Sequence, residues 1–583
     1  MSILIKTVRV RGFRGLKNVE VELEKTTVLT GMNNTGKTSL LKAMQLALGS
    51  RQFISQEDYF IQDNNVSEKI IIDLLIVPIS ADGSRCEEFL ESWEEIFTTE
   101  RIRLDLNEHS IIPLRTIITF DKIKNSFQTK QFILQDWPKY NQEGINWFDN
   151  DNGSEKGFRF GEVPFFYMDA QRDILEDTKL RNSYLGKMLS KIEYSDKVIE
   201  DIEDQIKKLN DKAVNGSEIL TNIKTTLEEL DTAMGTGSEG IEITPFTKKI
   251  RDLNKGLTIH YTDQTDSFTM EYHGMGTRSW SSLLTLKAFV SLLANNAANK
   301  QLMFFPVIAI EEPEAHLHPN AQKKLYGQID AIVGQKIIST HSPYIAATAE
   351  LGQIRNLYKD DVVICGQVDV GALENEDVRK INRQVINTRG EVFFSKMIVF
   401  FEGETEEQAL PVLAQKHFNK TSVEMGLDFV GVGGHKSYLP FLRFAEALNI
   451  PWVIFSDGEG PIVTSVKAQF VKCGTKKLES DCVVFLENGN DFEKQLISDG
   501  FVNEIKKAIA SFDVYDNEQH RAAKEPSRLV EIEDYDDGKL YEIITNSKTQ
   551  YSPAIAEQII QSGKALPPKP MELFGKIATT LKM

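Results

Sequence analysis

The chain has 583 residues, more than one hydrophobic core normally serves, so we expect two to four domains. Its composition, 41% hydrophobic and 26% charged, is that of a globular protein, and no apolar run is long enough for a membrane span. The net charge of −18 excludes a surface that is basic everywhere, so any nucleic-acid contact needs a local basic strip or bound metal ions. No export signal is visible, so we expect a cytoplasmic location and no membrane partner.

Strand-like alternation covers residues 3–10, 19–23 and 26–30, and the last run leads into residues 31–38, Gly-Met-Asn-Asn-Thr-Gly-Lys-Thr. A helical pattern follows, which is the context of the phosphate-binding loop GxxxxGK[ST]. Lys37 is expected on the β- and γ-phosphates, and the Thr38 hydroxyl on Mg²⁺. We therefore expect ATP with Mg²⁺; a plain glycine-rich turn would leave the GK[ST] ending unexplained. The expected nucleotide-binding residues are Asn33, Asn34, Gly36, Lys37, Thr38 and Ser39.

More strands are predicted at residues 70–77, 115–120 and 131–134, and the pattern then becomes helical between residues 174 and 234. Apolar residues recur there at three- and four-residue intervals between charges, which is typical of amphipathic helices. We expect these helices to pack on one another or to mediate self-association. A glycine-rich loop at 235–240 ends the segment, and strand patterning resumes at Leu257. The apolar positions are Leu185, Met188, Leu189, Ile192, Ile199, Ile202, Ile206 and Leu209.

A buried-strand pattern at residues 302–310 ends in Glu311 and Glu312, followed by Pro-Glu. Glu311 is expected to hold Mg²⁺ through its water shell, and Glu312 to polarise the water that attacks the γ-phosphate. The next strand pattern ends in Thr-His-Ser-Pro at His341. This set resembles the ABC-type ATPase heads of DNA-repair proteins, in which His341 matches a switch histidine. Alone, such a histidine is more often structural, but its position one strand beyond the acid pair favours the switch role.

The same resemblance implies a second head that contributes a glycine-rich signature at a helix start. Residues 274–279, Gly-Met-Gly-Thr-Arg-Ser, lie at the matching place but depart from the usual Ser-Gly-Gly pattern. A glycine turn before a core helix at 283–292 is an equally good interpretation. Residues 165–173 resemble another segment near the nucleotide, although the roles of Gln171, Arg172 and Asp173 cannot be assigned from the pattern.

Beyond residue 390, three strand patterns at 396–401, 451–456 and 482–486 each end in acidic residues. The carboxyl ends of parallel strands form the usual ligand edge of a small α/β sheet. Carboxylates gathered at one edge repel one another and raise their pKa values unless divalent cations bind between them. The sequence therefore predicts a metal site.

This arrangement resembles the toprim domain of topoisomerases, primases and some nucleases. By that resemblance Glu402 is the first-strand acid, Asp457 and Glu459 are the metal-binding pair, and Glu406 fits the EGxxE variant of nuclease members. Such a cluster could hold two metals, Mg²⁺ or alternatively Mn²⁺ or Ca²⁺, for phosphodiester cleavage. We interpret three further acids as solvated surface residues: Glu404, Glu407 and Glu487.

An ABC-type head followed by a toprim domain resembles the OLD (overcoming lysogenization defect) family of ATP-dependent nucleases over essentially the whole chain. The resemblance implies an α/β fold class, with an ABC-type ATPase domain that carries a helical dimerisation insertion, followed by a toprim α/β domain. Many members of the family also place a lysine from the carboxyl-terminal helix in the active site. Lys564 is the best match, and Lys569 is its competitor. A lysine that is merely exposed on a carboxyl-terminal loop is a nearly equal interpretation of Lys564. The expected segments are 1–173 and 241–390 for the ATPase, 174–240 for the insertion and 391–583 for the toprim domain.

Two functions compete. The first is an ATP-controlled, metal-dependent DNA endonuclease in antiphage defence, acting as a homodimer or higher even oligomer, with or without a helicase-like or reverse-transcriptase partner. The alternative is a non-nucleolytic, ATP-driven DNA clamp with a vestigial toprim site. The survival of Glu402 together with Asp457-x-Glu459 favours the nuclease.

Overall fold

The structure, a computed structural model, describes most of the chain as two compact units. The first unit contains residues 1–167, 307–312 and 334–583, and the second contains 168–306 and 313–333. No helix among the described residues is long and apolar enough to cross a membrane. The predicted division into ATPase, insertion and toprim segments stays a prediction. The described residues are 2–49, 54–62, 65–121, 123–142, 145–149, 152–180, 182–189, 195–225, 260–263, 266–386, 390–512 and 517–583.

An antiparallel sheet opens the first unit and contains the predicted strands at residues 3–10 and 19–23, whereas the predicted strand at 26–30 lies in a second sheet. The long central strands of the antiparallel sheet bury nearly every apolar residue, and Arg115 forms a buried two-bond ion pair with Asp73 at the facing position of the neighbouring strand. Seven strands make up this sheet: Ser2–Phe13, Leu16–Glu22, Lys69–Ile79, Arg103–Leu104, Ser110–Asp121, Ser126–Leu134 and Gly153–Glu155. Short pairs and a helix flank it: Ile61–Gln62 with Asn65–Val66, Asn141–Gln142 with Ile145–Asn146, and Glu91–Phe97.

A second, six-stranded sheet carries the nucleotide loop. Its central strands are parallel and buried, so all of them bring their carboxyl ends to one edge. In spatial order the strands are Phe165–Met168, Val307–Glu311, Gln335–Ser339, Thr26–Thr30, Ile354–Lys359 and Val363–Gly366. The helices of this region in the first unit are Lys37–Ala47, Pro343–Thr348 and Asn375–Ile381.

The third sheet has four parallel strands in the order Leu427–Gly431, Met397–Phe401, Trp452–Ser456 and Val483–Phe485. The apolar faces of its strands and of the carboxyl-terminal helices form one core. The helices are Glu404–Phe418, Ser422–Met425, Tyr438–Ala447, Gly460–Cys473, Glu479–Cys482, Phe492–Ser498, Val502–Ser511, Glu518–Glu533, Asp537–Asn546, Lys548–Ser562 and Pro568–Leu581.

The second unit is mainly helical, which confirms the helical interpretation for the described part of residues 174–234. Leu185 and Ile206 of the predicted stripe are buried, whereas Leu209 is 50% exposed and Ile219, on the same segment, is 72% exposed. The glycine-rich loop at 235–240 and the strand start at Leu257 lie outside the described residues. The elements are Ile174–Lys179, Tyr184–Leu189, Asp196–Asn215, the hairpin His260–Asp263 with Asp266–Thr269, Met275–Asn299 and Pro319–Asp330.

Candidate nucleotide and metal sites

The predicted phosphate loop joins the strand Thr26–Thr30 to the helix Lys37–Ala47. Lys37 is 6% exposed, and its ammonium donates to the carbonyl oxygens of Gly31 at 2.7 Å and Met32 at 2.8 Å, so it lies within the loop itself. Thr38 is exposed at the first turn of the helix, where a hydroxyl can reach a metal ion beside the phosphates. The other expected nucleotide contacts, Asn33, Asn34, Gly36 and Ser39, are exposed or half-buried along the same loop and helix start.

Glu311 and Glu312 lie at the carboxyl end of a strand two positions from the loop strand in the same sheet. Glu311 is 6% exposed, and Glu312 has a φ of 40°, an uncommon conformation for a residue with a side chain. The strand Gln335–Ser339 lies between the Glu311 strand and the loop strand, and it ends two residues before His341. The Nε2 atom of His341 lies 3.9 Å from Glu312 Oε1. Burial and the positive charge of Lys37 lower the pKa of His341, so a neutral imidazole is favoured beside the phosphate loop.

The second unit holds the predicted signature and the segment ending in Asp173. The 25-residue helix Met275–Asn299 begins directly after the exposed Gly274. Gly276 is explained locally, because an added Cβ would lie 2.5 Å from the carbonyl oxygen of His316. Arg278 in the same turn forms an ion pair with Asp173, and Arg172 donates to the Pro313 carbonyl at 2.8 Å. These contacts give Arg172 and Asp173 structural roles within the unit.

The carboxyl edge of the four-stranded sheet brings together the acids that the sequence singled out. Glu402 follows the strand Met397–Phe401, and its carboxylate accepts from the hydroxyls of Ser456 at 2.5 Å and Tyr438 at 3.2 Å. Asp457 follows the neighbouring strand, and its buried Oδ1 has no hydrogen-bond partner among the described residues. Glu459, two residues later, directly precedes the helix Gly460–Cys473, and its side chain makes no capping hydrogen bond to that helix. The intervening Gly458 is required sterically, since an added Cβ would lie 2.2 Å from the Leu486 carbonyl oxygen.

The electrostatics of this edge are those of crowded, poorly solvated acids. Burial and the charges of Glu406 and Glu402 raise the pKa of Asp457 to about 8. Burial, with the nearby Glu493 and Glu402, raises the pKa of Glu406 to about 7. Burial also raises the pKa of Glu402, although its hydroxyl donors oppose the shift. Such acids are stabilised as anions when a divalent cation lies between them.

Four further residues of this edge are absent from the expected set. Glu493 is 3% exposed and accepts from Thr405 Oγ1 at 2.6 Å and from the Lys548 ammonium at 2.8 Å. Asp491 accepts from the Tyr541 hydroxyl at 2.5 Å. The pattern Asp491-x-Glu493 after the third strand repeats Asp457-x-Glu459 and could have indicated both acids. Lys548 and Tyr541 carry no comparable signal, because they come from helices far along the chain.

Lys548 is the lysine that the structure brings to the acids. Burial alone would lower its pKa, but the hydrogen bond to Glu493 and the charges of Glu406 and Asp491 raise it. Lys564, the lysine expected there, instead pairs with Glu504 at 3.0 Å. Lys569 pairs with Glu487 and Glu572. Glu404, Glu407 and Glu487 are exposed, as expected of surface acids.

The donor set fits a divalent cation in its chemistry, since hard cations take carboxylate oxygens and Asp457 has an unpartnered buried oxygen. Within the part of the chain that the structure describes, however, no three acidic, histidine or cysteine side chains are already close enough to hold one. Glu402, Glu406, Asp457 and Glu459 would therefore have to draw together around the ion. All four lie at or directly after the carboxyl ends of two neighbouring strands of one sheet.

Two family models match the chain. Residues 4–346 match the AAA ATPase domain family, and residues 393–458 match the overcoming lysogenization defect protein-like toprim domain. The chain belongs to the AAA ATPase domain family. Its second match ends at Gly458 and includes Glu402, Glu406 and Asp457, which confirms the resemblance to OLD proteins. An ATPase domain and a toprim domain together imply the use of a nucleotide and of divalent metal.

Relatives of this ATPase with a toprim domain include the "OLD nuclease" of Thermus scotoductus, 23% identical over 78% of this chain and 82% of the relative. "Endonuclease GajA" of Bacillus cereus strain HuB5-5 is 21% identical over 78% of this chain and 74% of the relative. Among solved structures, the carboxyl-terminal region of the Burkholderia pseudomallei OLD protein covers 32% of this chain and 99% of its own length at 18% identity. Its TM-score is 0.25, which by itself establishes no common fold.

Proposed function

We propose that the protein is an ATP-binding and ATP-hydrolysing, divalent-metal-dependent endonuclease that nicks or cuts DNA. The observation that carries the proposal is the acid cluster of Glu402, Glu406 and Asp457 at one sheet edge, in a chain that also holds a phosphate loop with Glu311, Glu312 and His341. The names of the relatives, nuclease and endonuclease, support it. The role in antiphage defence, with a helicase-like or reverse-transcriptase partner, is part of the proposal and rests on the family resemblance.

At the nucleotide site the chain supplies both binding and hydrolysis. The loop N–H groups and Lys37 hold the phosphates of ATP, and Thr38 with Glu311 holds Mg²⁺. Glu312 orients and polarises the attacking water. His341, kept neutral beside Lys37, is close enough to Glu312 to hydrogen-bond to the same water or to the γ-phosphate.

At the toprim edge, Glu402, Glu406, Asp457 and Glu459 would hold the metal, which when bound activates water and stabilises the leaving oxygen in phosphodiester cleavage. The Ser456 and Tyr438 hydroxyls fix the Glu402 carboxylate through hydrogen bonds. Lys548 compensates part of the negative charge and is our choice, in place of Lys564, for the cation that faces the scissile phosphate. Mg²⁺ or Mn²⁺ is the proposed ion, with Ca²⁺ as a further candidate.

We propose a homodimer or a higher even assembly. Leu209, Ile219 and Ile223 of the helical segment are 50%, 72% and 44% exposed, and they are candidates for contact with a second chain. The exposed start of the helix at Gly274 is available for the nucleotide of a second head. Light scattering at micromolar concentration should give at least two chains per particle, and a strict monomer with and without ATP would refute the assembly.

The test of the function is the incubation of supercoiled plasmid with the protein and Mg²⁺ or Mn²⁺, with and without ATP. Conversion to nicked or linear DNA is the expected result. The competing DNA clamp predicts DNA binding and ATP turnover with no cleavage under any metal. Cleavage that is lost in EDTA and restored by metal separates the two.

A further inference from the structure

A cleft of about 330 Å³ lies on the flank of the toprim sheet. Three lysines from three different elements line it: Lys380 from the helix Asn375–Ile381, Lys436 from the loop after the strand Leu427–Gly431, and Lys472 from the helix Gly460–Cys473. The acid that shares the cleft, Asp377, is already neutralised by an ion pair with Arg443. The cleft therefore has a net positive lining in a chain whose net charge is −18.

The lysines of this cleft make few ion pairs with other described residues of the chain. Among the described residues, Lys436 and Lys472 are exposed and neither has an acidic group within ion-pair distance. Lys380 has only a 4.0 Å contact with the exposed Glu376 of its own helix, a pair of little energetic value. Among the described residues, three lysines that converge with only this one weak ion pair suit an anion from outside the chain.

One loop joins the cleft to the acid cluster. Lys436 and Ser437 line the cleft, while the preceding His435 is close enough to Glu402 to act on its charge. Two hydrogen bonds from the buried side chain of Gln469, which is 8% exposed, hold this loop in place. Gln469 donates to the His435 carbonyl at 2.6 Å and accepts from the Leu439 N–H at 3.0 Å. The loop of residues 435–437 therefore connects the cleft to the surroundings of Glu402.

We propose that the cleft formed by Lys380, Lys436 and Lys472 binds the phosphate backbone of the DNA and directs it to the Glu402–Asp457 edge. This inference rests on the proposed endonuclease function. The contacts are to phosphate, so they contribute affinity without sequence preference. A lysine contact of this kind also offsets the repulsion between DNA and the acid cluster before metal binds.

The test compares Lys436→Glu/Lys472→Glu with the matched control Lys416→Glu/Lys420→Glu. The control lysines are exposed at the far end of the helix Glu404–Phe418, about 20 Å from its start at the acid edge. Binding of a short labelled duplex is measured over a range of salt concentrations in full-length Asp457→Ala protein with Mg²⁺. ATP turnover without DNA verifies that each variant folds.

The cleft variant should bind at least tenfold more weakly at low salt, and its slope of log affinity against log salt should fall by about 1.8, for two lost phosphate contacts. In otherwise wild-type protein, KM for nicking should rise with little change in kcat. Binding and slope equal to those of the control would overturn the cleft assignment while leaving the nuclease intact. A wild type that binds DNA through these lysines but never cuts would instead refute the nuclease and leave the cleft standing, and a wild type that neither binds nor cuts would refute both.

Discussion

The side chain of Asn356 links the nucleotide strand to the toprim domain through two buried hydrogen bonds. Its Oδ1 accepts from the Thr30 hydroxyl at 3.1 Å, one residue before the phosphate loop, and its Nδ2 donates to the Leu448 carbonyl at 2.9 Å. A second relation between these regions is that the ring centroids of His341 and Phe394 lie 6.0 Å apart. Asn356 therefore joins the strand that leads into the predicted phosphate loop to a residue of the toprim region.

Replacing Asn356 by Ala should weaken the communication between the two activities. The change removes the hydrogen-bond partner of the buried Thr30 hydroxyl and of the Leu448 carbonyl. Each loss lowers the free energy of unfolding by about 1–3 kcal/mol. ATP binding should persist, while the ratio of nicking rates with and without ATP should move towards one. The control is Asp360→Asn, which removes an exposed ion pair with Lys582 between the same two regions. An unchanged ratio in Asn356→Ala would show that coupling takes another route.

Replacing Lys37 by Ala should abolish tight ATP binding, whereas Glu312→Gln should keep binding and block hydrolysis. The lysine contacts the phosphates of the bound nucleotide, but the glutamate acts chiefly on the attacking water. The two variants are compared by equilibrium binding of labelled ATP and by phosphate release, with a loss of about 10²- to 10³-fold expected for Glu312→Gln. Undiminished turnover in Glu312→Gln would reject the assignment of the base.

Metal binding at the toprim edge should release protons near neutral pH. Asp457, with a pKa of about 8, is largely protonated at pH 7, and Glu406, with a pKa of about 7, is half protonated. Titration calorimetry in buffers of different ionisation enthalpy should therefore detect about one to two protons released per site, and the affinity for Mg²⁺ should rise between about pH 6 and 8. Asp457→Asn should release fewer protons. Binding without proton release would contradict the raised pKa values.

The same groups make a prediction for stability without metal. Because the folded pKa of Asp457 is raised from 3.8 to about 8, the folded state holds this proton more tightly than the unfolded chain does. In EDTA, Asp457→Asn should therefore be more stable than wild type, by a margin that grows as pH rises from about 4 to 8 and then levels off. Thermal melts at several pH values measure the margin. Added Mg²⁺ should reverse it in favour of wild type, since only wild type keeps the full ligand set; a margin of constant size would contradict the prediction.

Lys548→Gln should lower nicking by about 10²- to 10³-fold, the usual cost of losing one group that stabilises transition-state charge. Lys548 also pairs with the buried Glu493, so Lys548→Gln alone leaves a buried charge without its partner and can destabilise the fold. The double variant Lys548→Gln/Glu493→Gln removes both charges, so a loss of nicking that persists in it is a loss of catalysis. The matched control is Lys564→Gln, at the lysine that pairs with Glu504. A large loss in Lys564→Gln with none in Lys548→Gln would restore the original choice.

The sequence anticipated features that depend on local pattern. The strand, loop and helix around Lys37 and the strand-end acids Glu311, Glu402 and Asp457 were all visible, because a short motif or a strand end fixes where such residues lie. The approach of Lys548 to the acids could not be predicted from the sequence, because it depends on how the carboxyl-terminal helices pack against the sheet. Many exposed lysines have similar neighbours in sequence. Gly458 and Gly276 show the same limit: each is required by the backbone of a segment distant in the chain.

The most direct test of the whole account is Asp457→Ala, assayed for plasmid nicking with Mg²⁺ and Mn²⁺ and for ATP hydrolysis in the same preparation. The substitution removes a metal ligand from the toprim edge and leaves every residue of the nucleotide site in place. Nicking should fall by orders of magnitude while ATP turnover persists. Nicking that survives intact in Asp457→Ala would place the cleavage chemistry away from the toprim edge.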